Sequence, residues 1–181
     1  MLENIKKVLV SQEAIIERSK EIGAQISKDY ADKMPVLVAL LKGSVPFAAE
    51  LMKYIDIDME IEFMDVSSYE GTKSTGEIKI IKDLDRSIKD CDVIIVEDIV
   101  DTGKTLKTVK ELLYSKGAKD VKVATLLDKK YGRVVDIEAD YVGFDIPDEF
   151  VVGYGLDFNQ KFRNLPFVGV LKEECYRSEN E

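Results

Sequence analysis

The stretch that most constrains the fold is Val93-Ile94-Ile95-Val96-Glu97-Asp98-Ile99-Val100-Asp101-Thr102-Gly103-Lys104-Thr105. An apolar run of β-branched residues at 93–96 enters two adjacent carboxylates. A third acid follows at Asp101, then a small polar loop with one glycine, then the helical spacing Leu106, Val109, Leu113. A continuous apolar run bounded by turn residues reads as a buried strand of a parallel sheet. In open α/β sheets, ligands bind outside the carboxyl ends of such strands. The amides that open the following helix suit a phosphate, while Glu97 and Asp98 suit sugar hydroxyls or a hard cation. One short segment therefore offers places for a sugar, a metal ion and a phosphate, and points to chemistry on a phosphorylated ribose.

The rest of the chain repeats the strand-then-helix pattern. Ser11 suits the N-cap of a helix reaching about Tyr30, with Ile15, Ile22 and Ile26 on one face. Residues 35–41 read as a buried strand, 42–44 as a turn and 46–54 as a helix. Residues 59–65 and 77–82 read as strands around the polar, glycine-punctuated segment 67–76. The strand at 93–96 and a helix from about Gly103 follow, with Gly117 as a helix stop. Residues 121–127, 141–144, 150–153 and 167–171 read as further strands. The expected fold class is α/β, with a central, mostly parallel sheet flanked by helices. At 181 residues the chain is expected to be one domain. A small hood over the sheet edge is expected from the N-terminal segment and the part after about Phe144.

Charge and composition exclude several functions. A formal charge of −9 argues against non-specific nucleic-acid binding, which needs a basic footprint. Cys91 and Cys175 lie far apart with no CxxC pairing, as expected of free thiols in a reducing compartment. No stretch approaches the roughly 18 apolar residues of a membrane span, and residues 1–10 lack a signal-peptide core. A cytoplasmic location is expected. The chain has no histidine, which excludes Ser-His-Asp and Cys-His catalysis. A general base near neutral pH must then be Asp, Glu, Lys, Tyr or Cys.

Gly103-Lys104-Thr105 is similar to the end of a Walker A loop, but that motif needs a glycine where Asp98 stands. The 93–105 segment instead resembles the phosphoribosyl diphosphate (PRPP) signature of type I phosphoribosyltransferases. The resemblance covers most of the chain. Leu41-Lys42-Gly43-Ser44 is similar to that family's diphosphate-binding turn, and Ser67-Ser68-Tyr69 to the start of its flexible lid. Leu127-Asp128-Lys129, the stretch 142–157 and Arg163-Asn164-Leu165-Pro166 resemble the purine-binding region of the branch that acts on hypoxanthine and guanine.

The resemblance implies a role for each matching residue. Lys42 and Gly43 would contact diphosphate, across a Leu41–Lys42 peptide that the family has cis. Glu97 and Asp98 would hold the ribose hydroxyls, partly through Mg²⁺. Thr102, Gly103, Lys104 and Thr105 would cradle the 5′-phosphate through amides and hydroxyls. Asp101 would lie near purine N7 as general base, although an acid at a helix start is also a common cap. Lys129 would donate to O6, Phe150 would lie on the purine face, and Val151 would offer backbone groups to the ring edge. Asp157 would hold a second Mg²⁺ or the guanine side, Arg163 the diphosphate, and Ser68 and Tyr69 would belong to the lid. A homodimer or homotetramer is implied. Two alternatives stay open: a xanthine-preferring relative, and a PRPP-sensing regulator on the same fold.

Overall fold

The computed structural model describes residues 1–68 and 78–177. Among the described residues, nine strands and three α-helices run in the order β1 (Ile5–Val10), α1 (Gln12–Asp29), β2 (Val36–Leu41), α2 (Val45–Leu51), β3 (Glu60–Ser68), β4 (Ile78–Lys82), β5 (Asp92–Val100), α3 (Lys104–Ser115), β6 (Asp120–Asp128), β7 (Tyr141–Asp145), β8 (Val151–Val152) and β9 (Val168–Leu171). The α/β class expected from the sequence is the observed one. A six-stranded sheet has the order β4-β3-β2-β5-β6-β7. All its neighbours pair in parallel except β3 with β4.

Ser11 caps α1 by accepting from the Ala14 amide at 3.2 Å. Ile15, Ile22 and Ile26 turn inward from that helix and pack with Phe47 and Leu51 of α2 on one sheet face, against Leu37, Ile94 and Leu126. Leu106, Val109 and Leu113 of α3 cover the opposite face, against Val38, Ile95 and Val123. Alternate residues of one strand thus feed two separate cores, which is why the strands read as unbroken apolar runs. Each fully buried aliphatic side chain contributes about 1.5–3 kcal/mol to that packing.

A second, antiparallel sheet has the order β1-β9-β8. It joins the N-terminal segment to the chain after residue 150. Two elements differ from expectation. Residues before Ser11 are expected in the hood without a strand or helix of their own, and Ile5–Val10 forms a strand along β9. The β6–β7 connection carries a 3-10 turn at Lys130–Gly132 where a crossover helix is usual, and the loop to Tyr141 stays irregular. Cys91 and Cys175 are free thiols. Among the described residues no helix is long and apolar enough to cross a membrane.

Strand order locates the ligand edge. From β2 the chain builds outward to β3 and β4, whereas from β5 it builds the other way to β6 and β7. The order reverses between β2 and β5, and the crevice beyond their carboxyl ends is where open α/β sheets bind ligands.

Candidate active site

At that crevice β5 pairs with β2 as far as Ala39 opposite Val96, but with β6 as far as Val100 opposite Asp128. The strand therefore extends past the expected 93–96, because β6 continues beside it. Glu97 and Asp98 stand within the strand at its opened edge, and Asp101 to Gly103 form the loop into α3. The Asp98 amide donates to Glu97 Oε1 at 3.0 Å, and the Ile99 amide to Asp98 Oδ1 at 2.7 Å. Burial first, then the Asp98 charge, push the Glu97 carboxyl well above the usual carboxylate range. Across the crevice the Asp98 carboxylate lies against the Gly43 backbone, where any Cβ would collide with it. The Leu41–Lys42 peptide bond is cis.

Gly103 has φ +80°, and a Cβ there would strike Ile137 and Arg133. Both the left-handed backbone and the crowding demand glycine. Thr102 Oγ1 accepts from the Lys104 amide at 3.4 Å as α3 begins. The amides of a first helical turn have no partners within the helix and favour an anion. A cavity of about 190 Å³ is lined by residues 97–103, Thr105 and Leu106. That is below the roughly 300–1,000 Å³ that encloses drug-sized ligands, and it suits one substrate fragment such as a sugar phosphate.

Lys129 follows β6, and its ammonium lies 2.7 Å from Asp148 Oδ1 and 3.7 Å from Asp101 Oδ2. Burial alone would lower its pKa, but Asp148 and Asp101 together outweigh burial and raise it. Lys129 is thus held as a cation beside the Asp101 carboxylate. Phe150 keeps 38% of its surface exposed. Its ring stacks on Tyr176 with centroids 4.8 Å apart and meets Phe158 edge-on at 5.7 Å. Val151 is buried in β8, paired with Val170.

The loop after β8 returns to the first turn. Gly155 abuts the Gly43 carbonyl, and Arg163 donates to the Gly155 carbonyl at 2.8 Å. Arg163 also pairs with Asp157 at 2.9 Å, while Asp157 Oδ2 accepts from the Gln160 amide at 2.8 Å. The three acids expected at metal ions therefore stand as the pair Glu97–Asp98 and a separate, arginine-paired Asp157. Among the described residues no group of three or more His, Cys, Asp or Glu gathers as a ligand set. Ser68 closes β3 as backbone, and Tyr69 with the remainder of the 67–76 segment lies outside the described residues.

Four residues at the site had no role of their own in the sequence reading, although Asp128 and Asp148 fall within its motifs. Asp148 holds Lys129. Arg133 pairs with Asp128, which is only 2% exposed, and also donates to the Asp101 carbonyl at 3.1 Å. Gly132 packs against the Asp101 carboxylate. The one available signal was Asp128 itself, an acid attached directly to an apolar strand and so a candidate for a buried, paired charge.

Known proteins are similar to this chain over nearly its whole length. The phosphoribosyl transferase domain family matches residues 7–159. A hypoxanthine-guanine phosphoribosyltransferase of Streptococcus mutans is 60% identical over 178 residues, covering 97% of this chain and 99% of that protein. The crystal structure of a hypoxanthine phosphoribosyltransferase from Staphylococcus aureus superposes with a TM-score of 0.94 at 54% identity, covering 97% of this chain and 96% of that one. Hypoxanthine phosphoribosyltransferase from Trypanosoma cruzi, solved in complex with the product IMP, gives a TM-score of 0.92 at 38% identity, covering 96% and 98%.

Proposed function

The chain belongs to the phosphoribosyltransferase family, and we propose that it transfers the 5-phosphoribosyl group of PRPP to N9 of hypoxanthine or guanine. The products are IMP or GMP and diphosphate. The observation that carries this reading is the placement of Asp101 and Lys129, with carboxylate and ammonium 3.7 Å apart at the ends of neighbouring parallel strands. A 6-oxopurine carries a ring N7–H donor and an O6 acceptor side by side on one edge. A carboxylate beside an ammonium matches that edge group for group. Adenine turns an amino donor toward the ammonium and is disfavoured.

In the reaction N9 forms a bond to C1′ as the bond from C1′ to the diphosphate oxygen breaks, through an oxocarbenium-like state. The proton on ring N7 passes to the Asp101 carboxylate. In water that carboxylate is a weak base, but the N7 proton grows acidic as positive charge builds on the ring, and exclusion of water helps the transfer. Phe150 presents its exposed ring to the purine face, and Val151 its backbone to the ring edge. The amides and hydroxyls of 102–105 hold the 5′-phosphate. Lys42 and Arg163 balance the charge of the departing diphosphate.

Glu97 and Asp98 suit Mg²⁺, which takes one or two carboxylates and completes its shell with water and substrate oxygens. Neither acid forms an ion pair among the described residues, and two adjacent carboxylates at an opened strand edge would suit a hard cation. Asp157 can hold a second ion once Arg163 turns to the diphosphate. When bound, Mg²⁺ supplies charge neutralisation on the diphosphate. The test is to mix the purified chain with PRPP and hypoxanthine, with and without Mg²⁺, and follow IMP and diphosphate by chromatography. Equal amounts of both products, formed only with Mg²⁺, are expected. PRPP breakdown without IMP would contradict the reading.

A further inference from the structure

We infer that the 129–134 segment, with Gly132 and Arg133 at its centre, is a positioning cradle that aims the Asp101 carboxylate. This inference rests on the proposed role of Asp101 as general base. Three consecutive carbonyls, from the last residue of β5 into the loop that follows, each accept a hydrogen bond from this one segment. Lys129 N donates to Val100 O at 2.9 Å, Arg133 Nε to Asp101 O at 3.1 Å, and Val134 N to Thr102 O at 3.1 Å. The backbone on both sides of Asp101 is thereby fastened to the end of β6.

The guanidinium makes that fastening stiff. Arg133 also pairs with Asp128 and donates to the Ile137 carbonyl. One planar fork thus spans a buried acid, the loop behind it and the peptide of Asp101. Lysine cannot reproduce such a span, because its ammonium is a single point of charge.

Gly132 acts on the side chain. The Asp101 side chain is 46% exposed, so core packing does not set its direction. It lies against the Gly132 backbone, and a Cβ there would take the place of Asp101 Oδ1. The φ of Gly132 lies outside the left-handed region, so alanine fits the backbone at that position. What alanine removes is the space that lets the carboxylate rest beside Lys129. Position 132 is therefore a setting for the base. Only a 3-10 turn, not an α-helix, lies between β6 and β7, which keeps the chain beside the loop it holds.

The test is Gly132→Ala in two backgrounds. Misplacement of a reacting group by about 1 Å costs on the order of 100-fold. In the otherwise wild-type chain kcat should fall roughly 10- to 100-fold, with KM for PRPP and hypoxanthine held within about twofold. In an Asp101→Asn background the same substitution should change the residual rate by less than about twofold, because the base it misplaces is already gone. Wild-type kcat in Gly132→Ala, or an equal fold-loss in both backgrounds, overturns the inference. If Asp101→Asn itself keeps full turnover, the general-base reading falls, and this inference with it. Arg133→Lys is a second arm that does not depend on how Gly132→Ala folds. It keeps a cation for Asp128 and should lower kcat with KM unchanged, and full activity there overturns the cradle as well.

Discussion

The Lys129 ammonium stands 3.7 Å from the Asp101 carboxylate, and Asp148 holds the same ammonium at 2.7 Å from its other side. Asp101 leaves the end of β5 and Lys129 the end of β6. Their spacing is therefore set by the parallel pairing that brings Val100 opposite Asp128. Sheet register, fixed by apolar packing far from the site, thus sets the distance between these two charged groups.

Removing the base should separate chemistry from binding. General-base catalysis contributes typically 10²–10⁴-fold, so Asp101→Asn should lower kcat by about that factor. In the proposed reading PRPP is held by other groups, so its affinity, measured by isothermal titration calorimetry, should stay within about twofold. A matching loss of PRPP affinity would show that Asp101 chiefly binds substrate.

Lys129→Met keeps much of the side-chain volume and deletes the charge-assisted donor to O6. Such hydrogen bonds are worth about 1.5–3 kcal/mol, which corresponds to roughly a 10- to 150-fold fall in kcat/KM for hypoxanthine. Discrimination against adenine should shrink with it, as read from the ratio of initial rates. An unchanged ratio would remove Lys129 from purine selection.

Asp128 is buried against Arg133, whose side chain is 15% exposed, and deleting Asp128 leaves the guanidinium without its carboxylate. Asp128→Ala should cost about 3–5 kcal/mol of stability, seen as a lower urea midpoint with an unchanged slope. A loss below about 1 kcal/mol would mean that water reaches the guanidinium freely.

The Glu97 carboxyl, raised by burial and by Asp98, carries a definite sign in pH. Its folded-state pKa lies above the unfolded value, so the folded chain binds more protons there. The stabilisation is complete below the unfolded pKa of about 4.5 and is lost as pH rises toward the folded value. Melting curves in a chelator should therefore show a fall in Tm above about pH 5 that Glu97→Gln, a neutral isostere, largely abolishes. The same slope in both proteins would assign the fall to other groups.

Legibility in the sequence followed locality. Residues 93–96, 121–127 and the inward faces of α1 and α3 were readable because each strand or helix buries its own periodic apolar set. β1 was not: Lys6 and Lys7 interrupt its pattern, and its partner β9 lies more than 150 residues away. The reach of β5 to Val100 is likewise a property of its neighbour. Within the site, Glu97, Asp98 and the 101–105 loop were readable as a strand end meeting a helix start. Arg133 was not, since its place depends on the chain returning to the Asp101 carbonyl, 32 residues earlier. Only the return of the 129–134 segment to that loop brings the Arg133 guanidinium onto both Asp128 and the Asp101 carbonyl.

The most direct measurement of the central claim is the ratio of kcat/KM for hypoxanthine to that for adenine, with PRPP and Mg²⁺ saturating. A site built to hydrogen-bond a substrate group rejects an analogue lacking it by on the order of 10⁴-fold. The Asp101–Lys129 pair predicts a ratio of about that size in favour of hypoxanthine, with IMP as the product. A ratio near one, or faster turnover of adenine, would contradict the assignment of this edge to 6-oxopurines.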